Sequence, residues 1–160
     1  MEEQQVNLSE IKAVEGGVSI DLNKYDKKSV KIEKVEAIQV PSKFTRLIDE
    51  AKPELGRIKA WSLKVQSEIL ETIGEGEDKV DFRASELFNL VQDKDGNLKG
   101  FPTGEGSNLM KFMKDLKIKE PEKLKDLQEV SDAIVGKEIL IKSYDKDVEG
   151  NNRTYLKFRY

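Results

Sequence analysis

The chain has 160 residues, 37% of them hydrophobic and 37% charged, with a formal net charge of −3 and neither His nor Cys. That length holds one domain with its core and is short for two. The composition excludes disulfides, thiolate chemistry and cysteine metal sites, and it removes the commonest general base.

Residues 1–28 read as an N-terminal extension, and 29–160 as the main domain. In the extension, Leu8 and Ile11 suit a short helical turn, Gly16-Gly17 breaks it, and Val18–Leu22 alternates as a short strand. Asn23–Asp26 is turn chemistry. Ser29–Val40 is the first long strand. Its apolar parity changes after Ile32, which predicts a bulge near Glu33-Lys34. Ser42 then caps an expected short helix carrying Phe44, Leu47, Ile48 and Ala51, ended by Pro53 and Gly56. Residues 57–73 form the second strand region, with Lys59, Trp61, Leu63 and Val65 on one face.

Residues 74–78 are a turn. Val80, Phe82 and Ala84 begin a third strand that runs on toward Leu87, Phe88 and Leu90. Asp95-Gly96 is a turn dipeptide. A glycine-rich connector, 100–106, leads to Ser107, an N-cap residue. Leu109, Phe112, Met113 and Leu116 follow at i, i+3, i+4 and i+7, one face of a helix. Glu120-Pro121 ends it, and a second short helix carries Leu124, Leu127, Val130 and Ile134. The fourth strand is expected over 138–144, then a polar loop over 145–152, then a last strand. In that last strand Leu156, Phe158 and Tyr160 alternate with Arg153, Tyr155, Lys157 and Arg159.

Strand, strand, strand, helix, strand, strand is the element order of the OB-fold. The stretch from Gly106 to Tyr160, with its capped Leu-x-x-Phe helix, Val135-Gly136-Lys137 and two closing strands, resembles small OB-type proteins of archaea and their mobile elements. The resemblance implies a mainly β chain with helices (α+β): an OB-like five-stranded Greek-key barrel with a helix pair between strands 3 and 4. It also implies ligand contact through the second and third strands and through the loops joining strands 1–2 and 4–5.

Several patterns compete for function. Asp145-x-Asp147-x-Glu149-Gly150 matches the first half of a calcium loop, but Leu156 stands where the closing carboxylate belongs, so a solvated hairpin loop is the reading. The 100–106 connector lacks the endings of a P-loop or dinucleotide fingerprint. No motif marks a catalytic, cofactor or metal site, and the expectation is a non-catalytic binding module. Its candidate nucleic-acid-binding residues are Trp61, Arg83, Tyr144, Arg153, Tyr155 and Lys157. On a strand, alternate residues lie ~6–7 Å apart, and a base stacked on an aromatic is worth ~1–3 kcal/mol. The expected partner is single-stranded DNA or RNA. The alternative is a protein-interaction or assembly module whose C-terminal strand pairs with a partner or a second copy. Under that alternative the basic face is only solvated surface.

The charged share exceeds the roughly 25% of an average globular protein, and Lys and Glu dominate it. That bias is the composition of hyperthermophiles, so a prokaryote of a hot environment is expected. The acidic start, Met1-Glu2-Glu3, is no signal peptide, and no apolar run is long enough for a membrane span. A cytoplasmic location without membrane partners is expected.

Overall fold

The computed structural model describes residues 22–160, and for Val148 and Arg153 only the backbone. The helical turn expected at Leu8 and Ile11 lies outside the described residues, as does all of the strand expected over Val18–Leu22 except Leu22, which opens a 3-10 turn ending at Tyr25.

The long first strand, β1 (Ser29–Val40), pairs antiparallel with β2 (Ala60–Ser67). The register slips between Ile32 and Lys34, which is the bulge expected at Glu33-Lys34. The extra residue restores parity: Val30 and Ile32 are buried before it, and Val35 meets the buried Val65 after it.

No helix forms over residues 42–51. The segment is irregular, pinned by an isolated bridge between Leu47 and Arg57 and by the Arg46 guanidinium, which donates to the carbonyls of Leu47 and Lys94. Arg46 also pairs with Asp95 at 2.9 Å. An isolated helix this short is marginal unless packing covers its apolar face. Here the described residues leave most of it uncovered: Phe44 is 99% exposed, Ile48 is also exposed, and Leu47 is half-buried.

The expected third strand is two strands. β3 (Glu71–Ile73) pairs with β4 (Val80–Phe82), and β5 (Ser85–Asn89) pairs instead with β2. The break sits at Arg83-Ala84, where buried Ser67 takes over the pairing. Its hydroxyl accepts from the Ala84 N–H at 2.9 Å, and its own N–H donates to the Ala84 carbonyl at 2.8 Å. A small hairpin of β6 (Val91–Gln92) and β7 (Leu98–Gly100) turns at Asp95-Gly96. The Asp93 carboxylate accepts the N–H and side-chain amide of Asn97 and the N–H of Asp95, and these bonds, those from Asn97 foremost, hold it below the usual aspartate range.

Helices α1 (Asn108–Asp115) and α2 (Leu127–Ile134) follow, each capped by a side chain. Ser107 accepts from Met110, and Asp126 accepts from Glu129. Leu109, Phe112, Met113 and Leu116 are all buried, as the i, i+3, i+4, i+7 spacing requires. The last two strands, β8 (Glu138–Val148) and β9 (Asn151–Phe158), form a hairpin. The polar loop expected over 145–152 is therefore mostly ladder. Only Glu149 and Gly150 turn, with φ of 53° and 81°, the paired positive values that a two-residue hairpin turn demands.

The principal sheet is antiparallel, in the order β5-β2-β1-β8-β9. It curls until its two edges meet without a ladder between them. Glu86 of β5 spans the seam: its carboxylate accepts the Phe158 N–H at 3.2 Å and the Tyr160 hydroxyl at 2.8 Å. Beside it α1 fills the opening. Phe112 lies 4.9 Å from Phe88 of β5, 5.7 Å from Phe158 of β9 and 5.4 Å from Tyr160, ring centre to ring centre. Such aromatic contacts stabilise beyond their buried area. The class is thus α+β, mainly β, with a sheet that backbone pairing leaves open.

Residues 22–28 pack on this sheet. Tyr25 is buried, its hydroxyl donates to Glu71, and the Lys27 N–H donates to the Ile141 carbonyl at 2.8 Å. Among the described residues no helix is long and apolar enough to cross a membrane.

Candidate nucleic-acid interface

The two-residue turn at Glu149-Gly150 fixes the register of the β8/β9 hairpin. It sets Ile141 opposite Phe158, Lys142 opposite Lys157, Tyr144 opposite Tyr155, and Lys146 opposite Arg153. Residues directly opposite share a face, and successive residues alternate. Ile141 and Phe158 are buried, so their face belongs to the core. Further along, that face carries Ser143 and Asp145, whose carboxylate accepts from Thr154 at 2.8 Å. The outer face carries Lys142, Tyr144 and Lys146 from β8, and Tyr155 and Lys157 from β9.

On that outer face the two tyrosine rings stack, 5.6 Å apart between centres and 27° from parallel. The Lys157 ammonium stands 5.4 Å over the Tyr144 ring, a cation–π contact. Tyr144 remains 39% exposed, so an aromatic surface faces outward. Lys142 and Lys157 are like charges directly opposite, an arrangement that costs stability. Among the described residues, none of Lys142, Lys146 and Lys157 forms an ion pair. A cationic, part-aromatic ribbon of this kind offers ring faces for bases and ammonium groups for phosphates.

The structure brings together three of the six residues singled out in the sequence: Tyr144, Tyr155 and Lys157. Arg153 stands in the same hairpin, opposite Lys146 in register. Trp61 and Arg83 lie elsewhere. Trp61 pairs with Gln39 near the far end of β1, whereas β8 pairs with β1 only at Ser29–Lys31. The Trp61 indole packs against the core and donates to the Gly96 carbonyl at 2.9 Å. Arg83 has only 12% of its side chain exposed; it donates to the Ser67 carbonyl and pairs with Glu33 at 3.2 Å. Its charge is thus engaged at the β4–β5 break.

Lys142 and Lys146 were absent from the sequence-derived set. The signal for them was there, since Lys142, Tyr144 and Lys146 alternate on β8 as Tyr155 and Lys157 do on β9.

Comparison of the chain with protein-family models, with curated proteins and with solved structures returned no match.

Proposed function

We propose that the chain is a non-catalytic module that holds single-stranded nucleic acid, DNA or RNA, on the outer face of its β8/β9 hairpin. The scaffold in this reading is an OB-like five-stranded Greek-key barrel. Supporting it are the sheet order, with β9 returning beside β5, and the helices between β5 and β8. In OB-folds the connection between the last two strands is one of the ligand-binding regions. Here that connection is the projecting end of the hairpin.

The observation that carries the reading is the Tyr144–Tyr155 stack set beside the opposed lysines Lys142 and Lys157. Two like charges held face to face lower stability, and a polyanion between them reverses the sign of that interaction. The protein's net charge of −3 makes this concentration of cations a local feature of one hairpin.

The test is fluorescence anisotropy with labelled dT and rU oligomers at low salt. Binding should weaken steeply as salt rises. Tyr155→Ala should lower affinity by about 5- to 150-fold, the loss of one stacked base at ~1–3 kcal/mol. No binding of either oligomer at low salt refutes the proposal. That outcome turns attention to a protein-interaction module, the reading favoured by the exposed apolar side chains of Phe44, Ile48 and Leu55.

A further inference from the structure

A second feature adjoins the tyrosine stack. Residues 26–27 run alongside β8 and leave a groove of about 270 Å³, lined by Asp26, Lys27, Lys142, Ser143 and Arg159. Arg159 follows β9 and is fastened there, its N–H donating to the Leu140 carbonyl at 2.8 Å. Lys27 and Arg159 are exposed, and among the described residues none of Lys27, Lys142 and Arg159 is in an ion pair. The one carboxylate among the described lining residues, Asp26, accepts the Ser143 N–H at 2.9 Å. Among the described residues the groove therefore gathers three cations against one partly engaged anion.

Its wall is built at a cost. Lys27 has φ of 65°, a left-handed conformation that a residue with a Cβ adopts only when its surroundings enforce it. The enforcing bonds flank it: Lys27 N–H to the Ile141 carbonyl, Ile141 N–H to the Lys28 carbonyl at 3.0 Å, and Ser143 N–H to the Asp26 carboxylate. They bring Lys27 to the groove that Lys142 and Arg159 line from the hairpin.

We infer that this groove binds a phosphate group: the phosphodiester of a nucleic-acid strand whose neighbouring base stacks on Tyr144 and Tyr155. The inference rests on the nucleic-acid reading for the source of the phosphate, not for the chemistry of the groove. Lys142 belongs to both places, which puts the groove directly beside the tyrosines. Two lysines and an arginine lining one groove suit a tetrahedral oxyanion.

The experiment has two arms. In the first, Lys27→Gln and Arg159→Gln are compared with the parent protein in oligonucleotide binding across a salt series, with Lys94→Gln as a control in the distant 93–97 turn. Each groove variant should reduce the salt slope by about 0.7, which is about 8-fold in affinity at about 0.05 M salt; the control should change neither. In the second, inorganic phosphate is titrated while the amide resonances of Lys27 and Ser143 are followed. They should shift in the parent and not in the double variant. If oligonucleotides bind and the groove variants leave affinity and slope unchanged, the groove assignment is overturned and the stacking face stands. If phosphate shifts those amides but no oligonucleotide binds, the groove stands as a phosphate site and the nucleic-acid reading falls. Silence in both arms removes both.

Discussion

Glu86 holds together two strand edges that no ladder joins, so its replacement should be costly and dependent on pH. Its two oxygens accept separate donors, the Phe158 N–H and the Tyr160 hydroxyl. Phe158 is 1% exposed, so its N–H has no water to turn to when the carboxylate is removed. Leaving a buried donor unpaired costs ~1–3 kcal/mol, and losing the tyrosine bond adds about 1 kcal/mol. Glu86→Ala should therefore destabilise by about 2–4 kcal/mol, and Glu86→Gln, which keeps one carbonyl acceptor, by about 1 kcal/mol near pH 7. Burial raises the Glu86 carboxyl above its ordinary value, outweighing the bonds from Tyr160 and Phe158 and the nearby charges of Lys157 and Lys142 that lower it. A group raised on folding contributes stability that is full below its unfolded pKa, ~4.3, and is lost as pH rises through the folded value. The stability gap between parent and Glu86→Gln should thus be widest in acid and should narrow from about pH 4.5 upward. Urea melts of both proteins between about pH 4 and pH 8 measure the gap directly, with shared titrations cancelling in the difference. A gap that widens with pH would refute the reasoning.

Phe112→Ala empties the space where β5, β9 and α1 meet and should cost ~3–5 kcal/mol in denaturant melts; a loss below about 1 kcal/mol would mean the ring is not the plug described. Lys142→Glu sets opposite charges across the hairpin and should stabilise the protein by ~0.2–1 kcal/mol while weakening oligonucleotide binding. Stability and affinity moving in the same direction would remove the argument that the opposed lysines cost stability which a bound polyanion offsets.

The β1 bulge was legible because the apolar parity of Val30 and Ile32 breaks before Val35, and only an inserted residue keeps both groups inside. Helix α1 was legible from a cap and a four-residue stripe, which say the same thing locally and globally. The helix expected from Ser42 had the stripe but, among the described residues, no surface to bury it against, and no sequence pattern reports that. The break at Arg83-Ala84 depends on Ser67, sixteen residues from Arg83 along the chain, whose hydroxyl substitutes for a ladder partner. Such a contact is invisible to a local reading. The β8/β9 extension was hidden by its composition: Asp, Asn and Gly suggest a loop, and a ribbon projecting from the core needs no apolar alternation. Tyr144 and Tyr155 were each visible as exposed aromatics. Their stacking depends on a register set by the turn at Glu149-Gly150, and counting back from that turn pairs them. Arg83 and Trp61 lie away from the site because the sheet order puts β2 and the β4–β5 break apart from the outer face of the β8/β9 hairpin, and their polar atoms are already bonded; one-dimensional spacing records neither.

The seam between β5 and β9 also bears on the order in which the chain assembles. Its two side-chain bonds join residues 72 and 74 positions apart, whereas the β8/β9 hairpin closes over a two-residue turn. Closing a loop of that length costs entropy before any contact compensates it, so the hairpins are expected to form early and the seam late. An interaction made after the rate-limiting barrier governs how fast the native state is lost rather than how fast it is reached. The carboxylate of Glu86 would then act as a kinetic lock: removing it should leave refolding almost unchanged and hasten unfolding, with the seam between β5 and β9 the first contact to open.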